Sequence, residues 1–334
     1  MKTTFAALLG CCAGILDLSS KTNLVVPWGQ HLSEKPLREY CHKQESISTL
    51  VISSLDLRPM SRKSPLLNIT HHCNTFFKGP RIDILHCPEV EEDIKYCQKQ
   101  GKSVILSISS SVPTAHAAYR LATDIWNMFL GGQSSTRPFG SAILDGIDVP
   151  IKGDDEALNH VHHLLRKLQV YFKHSKSPYF VTSTVECSYE FDSHMALQKV
   201  YFDGVFVKFY NSWCEVQNYL DPKAWNWKAW ARWARTKSIN RNVKIFLGVE
   251  ARQMSGNPGY ASGNLLKYAL YDAASTSQFG GLMVSGETSI WDGTSEKLDN
   301  VNLLHRFVAA AARRASDTEP SVVASTSQNI TRIY

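Results

Sequence analysis

Asp148, Pro150 and Lys152 stand two residues apart at the end of the run Ala142-Ile-Leu-Asp-Gly-Ile-Asp-Val-Pro-Ile-Lys. On an extended strand, side chains at that spacing share one face. Carboxylates so arranged perform general acid-base hydrolysis, one of them protonating a leaving oxygen. Here the face carries one carboxylate, a proline and an amine, with a further carboxylate, Asp145, three residues upstream. A lysine with its ordinary pKa of about 10.4 holds its proton too tightly to act as donor at neutral pH. Losing general acid catalysis costs about 10²- to 10⁴-fold. Asp154, Asp155 and Glu156 follow the column, but Glu156 lies roughly 13 Å farther along an extended chain, and the turn at Gly153 is expected to carry it to a rim. Two readings of Lys152 and of Lys208, a second strand-end lysine, stay open. They pair with Asp148 or Asp145 and plug a pocket, or they form a cationic socket for an acidic ligand.

The remaining chemistry-bearing residues narrow the class. Phe5 to Leu16 is an apolar run behind Lys2, closed by small residues, which is the pattern of a signal peptide and is expected to occupy residues 1–19. It is too short to span a bilayer, and no later stretch reaches about twenty apolar residues, so a secreted, extracellular chain without a membrane anchor is expected. Of eight cysteines, Cys11 and Cys12 fall in the leader. Cys41, Cys73, Cys87, Cys97, Cys187 and Cys214 remain, an even set suited to disulfides in an oxidising compartment, with fifteen connectivities open. No C-x-x-C pair exists, so no metal is expected, and no cofactor is implied. Asn68-Ile-Thr and Asn329-Ile-Thr are glycosylation sequons. The net charge of +6 is spread over 334 residues without a dense Lys/Arg run, which argues against nucleic acid as a partner.

Short β-rich runs alternate with segments of helical period. The strands are expected at Leu24-Val-Val, Thr49-Leu-Val-Ile, Ser103 to Ile108, Ala142 to Asp148, Tyr179 to Thr182, Gly204 to Phe209, Val243 to Gly248 and Gly281 to Val284. Helices are expected at Glu89 to Lys99, Tyr119 to Phe129, Asp155 to Phe172, Trp225 to Thr236 and Gly263 to Ala274. Eight strand-helix alternations in a chain of this size predict an α/β fold, a single-domain (β/α)8 TIM barrel over residues 20–315, with a flexible Ser/Thr-rich tail at 316–334. A doubly wound open sheet is the alternative, but no G-x-G-x-x-G follows the first strand. Trp213, Trp225, Trp227, Trp230 and Trp233 are expected to be packing anchors rather than ligand platforms.

The run ending Asp145-Gly-Ile-Asp resembles the start of the D-G-I-D-F-D-I-E signature of glycoside hydrolase family 18. Pro27-Trp-Gly-Gln is similar to the first-strand Y-W-G-Q of the plant class III and yeast secreted endochitinases. Ile84 to Gln98, Arg137-Pro-Phe-Gly, Lys208-Phe-Tyr-Asn, Lys244-Ile-Phe-Leu-Gly and Phe279-Gly-Gly-Leu-Met follow in the family order. The resemblance covers about residues 24 to 312. It implies the pairing Cys41–Cys97, Cys73–Cys87 and Cys187–Cys214. It also implies a substrate-assisted mechanism, in which the sugar's acetamide attacks while a glutamic acid donates a proton. Against that pattern the acetamide-orienting carboxylate is Pro150 and the proton donor is Lys152. The first-strand tyrosine is Pro27, the second-strand aromatic is Ser54, the third-strand S-x-G-G is Ser107-Ile-Ser-Ser, the sixth-strand glutamine is Lys208 and the eighth-strand tryptophan is Ser285. Trp28, Lys208, Tyr210, Asn211 and Ser285 are what remains of a substrate-binding set. A monomeric chitinase-like protein without hydrolase activity is expected, binding a protein or, weakly, a chitin oligosaccharide. An active endochitinase and a storage or structural protein are the alternatives.

Overall fold

A computed structural model describes residues 16–30, 34–42, 46–57, 66–69, 71–78, 84–109, 112, 114–151, 160–188, 196–250, 263–285 and 301–318. Lys152, Asp154, Asp155, Glu156 and Asn329 lie outside them.

Eight parallel strands close into a ring: β1 (Asn23–Trp28), β2 (Thr49–Asp56), β4 (Ser103–Ser109), β5 (Gly146–Ile151), β6 (Phe180–Glu186), β7 (Gly204–Lys208), β8 (Lys244–Glu250) and β9 (Phe279–Ser285), with β9 returning to β1. A two-residue β3 (Leu66–Leu67) lies antiparallel on β2, outside the ring. Around it run α1 (Leu37–His42), α2 (Pro88–Lys99), α3 (Ala115–Phe129), α4 (Val161–Lys173), α5 (Trp227–Thr236), α6 (Gly263–Ala274) and α7 (Val301–Thr318). This is the expected (β/α)8 barrel. No helix among the described residues is long and apolar enough to cross a membrane.

The strands are two-faced because their side chains alternate with period two. One parity, such as Leu24, Val26 and Trp28 on β1 or Val205 and Val207 on β7, joins the large core between sheet and helices. The other parity fills the lumen. Val25, Val51, Ile105, Phe180, Phe206, Phe246 and Met283, one from each of seven strands, form a second buried cluster. The eighth strand, β5, contributes Gly146 at this parity. A Cβ there would come within 2.3 Å of the Phe180 carbonyl oxygen, so only glycine lets β5 and β6 approach.

Three expected boundaries move. The fourth barrel strand begins at Gly146 rather than Ala142, because the preceding residues are held as a loop. Arg137 donates to the carbonyls of Gly140, Asn127, Gly132 and Ala142, and Leu144 N donates to Phe129 O. Leu16 to Ser19, expected in the leader, are built into the fold. Leu16 is buried in the lumen cluster with Leu18 against it, and Asn23 Nδ2 donates to Asp17 O, Ser20 O and Gly280 O. At the other end, α7 runs to Thr318, past the expected end of the barrel, its Leu304, Val308, Ala311 and Ala315 buried. Residues 1–15 and 319–334 lie outside the described residues.

The three disulfides pair Cys41–Cys97, Cys73–Cys87 and Cys187–Cys214, with Cα separations of 5.3, 5.5 and 6.0 Å. Trp227, Trp230 and Trp233 on α5 are buried as expected, the first two donating to Thr276 Oγ1 and Cys187 O. Trp213 differs: it is 55% exposed.

Candidate functional site

Above the apolar cluster the lumen turns polar. Along the inward parity, β4 presents Ser107, β5 Asp148, β6 Thr182 and Thr184, β7 Lys208, β8 Glu250 and β9 Ser285. Asp148 is 1% exposed and accepts hydrogen bonds from three hydroxyls: Thr182 Oγ1 at 2.9 Å, Thr184 Oγ1 at 2.9 Å and Ser107 Oγ at 3.3 Å. Burial raises its pKa to about 6, against the lowering effect of those hydroxyls. The next inward position is Pro150, where the β4–β5 ladder has already stopped at Ser107↔Asp148 while the β5–β6 ladder runs on to Ile151↔Val185. A strand carrying proline loses a ladder donor, and here it keeps only one neighbour.

Asp145 does not face this site. It sits just before β5, at the opposite end of the barrel, where Oδ2 accepts from Val104 N at 2.7 Å and Gln98 Nε2 at 3.0 Å. Burial raises its pKa to about 7. It staples β4 and α2 to β5 and is a structural group.

Lys208 is in register with Glu186, and its Nζ lies 3.4 Å from Glu186 Oε1 and 5.8 Å from the centre of the Tyr210 ring. The expectation that Lys208 pairs with Asp148 or Asp145 is therefore corrected. Asp148 is satisfied by hydroxyls and Asp145 by backbone and amide, while the lysine finds its carboxylate on the adjacent strand. Tyr210 packs against the lumen cluster. Burial pushes its phenol up, a hydrogen bond with Ser285 pulls the other way, and Glu250 and Glu186 raise it further, so the hydroxyl keeps its proton. Glu250, in register with Ser285, is buried. Glu186 and Glu250 were missed in the sequence. They are the last inward positions of β6 and β8, and counting by two from Thr182 and from Gly248 would have found them.

The rim completes the picture. Trp28 is 1% exposed, has the outward parity of its strand, gives its Nε1–H to Lys35 O at 2.9 Å and lies 4.3 Å from the His72 ring. Expected in the binding set, it is a packing residue with no face turned to the lumen. Asn211 is exposed and sits at φ 56°, a left-handed turn that asparagine tolerates. That turn leads to the exposed Trp213, next to Cys214, whose disulfide ties this loop to the end of β6. Asn68, the sequon residue, is exposed. Among the described residues no cluster of histidine, cysteine and carboxylate is arranged to hold a metal.

The chain is 31% identical over 320 residues to the "Endochitinase" of Saccharomyces cerevisiae, covering 90% of this chain and 53% of that one. The ICChI chitinase from Ipomoea carnea superposes with a TM-score of 0.66 at 25% identity, covering 86% of this chain and 99% of that one. The chain belongs to glycoside hydrolase family 18. It spans 53–64% of the length of the yeast relatives named chitinase or endochitinase. No family model matches it. Also similar, with a TM-score of 0.65 at 25% identity over 86% of this chain and 98% of the other, is the "xylanase-alpha-amylase inhibitor Protein (XAIP-I)", solved with trehalose. Within this family 18 barrel, Asp148, Tyr210 and Ser285 share one lumen, while Trp28 and Asp145 are taken by the scaffold.

Proposed function

We propose that this family 18 chain is a chitinase-like protein that does not hydrolyse chitin and acts by binding. The observation that carries the reading is the inward column of β5. Its single carboxylate, Asp148, is enclosed by three hydroxyls, the position above it is Pro150, and the chain continues to Lys152 where the family signature has its proton donor. Substrate-assisted hydrolysis needs both an acetamide-orienting carboxylate and an acid. Neither signature position supplies one. The similarity to an inhibitor protein supports binding in place of turnover, and the exposed Trp213 beside the mouth is the kind of aromatic that anchors a partner. Three disulfides fit an extracellular setting.

A lumen whose inward positions are mostly Ser, Thr and carboxylate offers a saccharide few faces on which to stack. Chitin oligomers should therefore bind no tighter than about millimolar, or roughly 4 kcal/mol. The test is incubation of the purified protein with chitohexaose between pH 4 and 8, alongside calorimetry with chitotetraose. Absence of product with millimolar or weaker binding is expected. Turnover that disappears in Asp148→Asn or Glu250→Gln would establish the endochitinase reading instead, with Glu250 as the replacement acid. Micromolar binding lost in Tyr210→Ala would make the protein a lectin.

A further inference from the structure

A second feature lies at the opposite end of the barrel from the mouth. The C-terminal half of α4 and the loops that lead into β7 and β8 enclose a groove of about 500 Å³. Arg166, Lys173 and His174 line it from α4, Lys199 from the loop before β7, and Val170 and Ile239 form its apolar floor. Among the described residues no carboxylate lines it. The imbalance continues along the chain: residues 157–185 contain four Lys/Arg and four His and no Asp or Glu. Val170 and Ile239 are 50% and 52% exposed, on different elements, yet they meet in one concavity. The frame is held by Gln169 Nε2 donating to Tyr201 O at 2.9 Å and by Arg166 Nη2 donating to Lys199 O at 3.4 Å.

We infer that this groove docks an acidic, aliphatic segment of a partner protein, such as a short stretch alternating Glu or Asp with Leu, Ile or Val. Charge complementarity selects the acidic part, because a cationic rim without a carboxylate repels basic segments and attracts carboxylates. The floor selects the rest. Two exposed branched aliphatic side chains gain from burying an aliphatic partner residue, at about 25 cal/mol per Å² of apolar surface removed from water. A sulfated polysaccharide or a nucleic acid would satisfy the rim but leave the aliphatic Val170 and Ile239 wet. The site is independent of the barrel mouth, so it stands whether or not the lumen has lost its hydrolytic activity.

The test uses the whole folded protein and a fluorescein-labelled peptide alternating Glu and Leu, followed by anisotropy. Saturable binding is expected that weakens between about 50 and 300 mM NaCl, as surface charge pairs are screened. The double reversal Lys173→Glu/Lys199→Glu should weaken it about tenfold or more, and Val170→Ser/Ile239→Ser about three- to tenfold. Lys223→Glu, at an exposed site elsewhere, should leave it unchanged, and thermal melting shows whether each variant is folded. The inference is overturned if the peptide does not bind, or if folded groove variants bind it like the unmodified protein. It is equally overturned if an all-Glu peptide or a heparin oligosaccharide binds the groove as well as the Glu/Leu peptide, which would make it a general polyanion face.

Discussion

The two halves of the barrel lumen obey different rules. At the end where the strands begin, seven strands each send in one apolar side chain and Leu16 closes the floor. At the end where they finish, the same inward parity reads Ser107, Asp148, Thr184, Lys208, Glu250 and Ser285. The lower half is held by removing apolar surface from water, which rewards any close packing. The upper half is held by hydrogen bonds, each of small net worth so long as every buried group has a partner. Side chains in the upper half can therefore change identity at little cost to the fold. A barrel keeps its chemistry at that end, so a family member can exchange acids for proline and lysine and still fold as its relatives do.

The sharpest contrast comes from truncating the two rings that meet edge to face in the lower half, Phe206 and Phe246, whose centroids are 5.0 Å apart. Each Phe→Ala change should cost about 3–5 kcal/mol, as deleting a fully buried ring does. Ser285→Ala, at the mouth, should cost less than about 1.5 kcal/mol. Denaturant titrations of the three variants decide it, and equal losses would break the distinction between the halves.

Leu16 tests where the lower half ends. It is 2% exposed and caps the cluster from outside the strands. Leu16→Ala should destabilise by about 2–3 kcal/mol, at the low end for buried leucine because the segment that carries it lies outside the strand ladders and is freer to relax into the gap. A loss under about 0.5 kcal/mol would show that the floor is closed without it. If instead the loss is as large as expected, processing of any leader should leave Leu16 in place, and amino-terminal sequencing of the mature protein checks this directly.

Asp148 gives the upper half its own signature. Its carboxyl titrates near 6 in the folded protein, against 3.8 ordinarily. Between those values the unfolded chain has released a proton that the folded chain still holds. The stability this group contributes is complete below about pH 4 and is lost as pH rises through 6. Asp148→Asn has no such proton. The unmodified protein should therefore lose on the order of 2 kcal/mol relative to the variant from pH 4 to pH 6.5. Parallel curves would mean that the hydroxyl shell has returned the carboxyl to its ordinary range.

Much of this was legible in the residues. The strand-helix alternation, supported by the disulfide pairing that the family resemblance implied, led to the barrel. That Asp148 and Pro150 share the inward face of β5 could be read from their spacing, because strand parity is a property of the backbone and survives substitution. What sequence spacing could not show was which neighbour each charge would choose. Lys208 looked like a partner for Asp148, but cross-strand register placed Glu186 beside it. Trp28 looked like a saccharide platform, yet it has the parity of Leu24 and Val26 and points into the helical layer. Asp145 belongs to the signature run but lies before the strand starts. The groove beside α4 arises from three segments far apart in the chain, which no local pattern joins.

The smallest expected effect concerns Lys208 and Glu186. Their side chains are 23% and 54% exposed and the contact is 3.4 Å. A pair that wet gains little, because solvent screens it and both side chains lose rotamer freedom, so about 0.2–1 kcal/mol is the usual range. Lys208→Met keeps the stem over the Tyr210 ring while removing the charge. It should change stability by less than about 1 kcal/mol, and a double-mutant cycle with Glu186→Gln should give a coupling at the low end of that range that fades with added salt. If the coupling instead exceeded about 2 kcal/mol and resisted salt, the mouth would be a dry ionic plug that helps hold the barrel closed. The upper half would then be under the same packing constraint as the lower, and its tolerance of altered residues would need another origin.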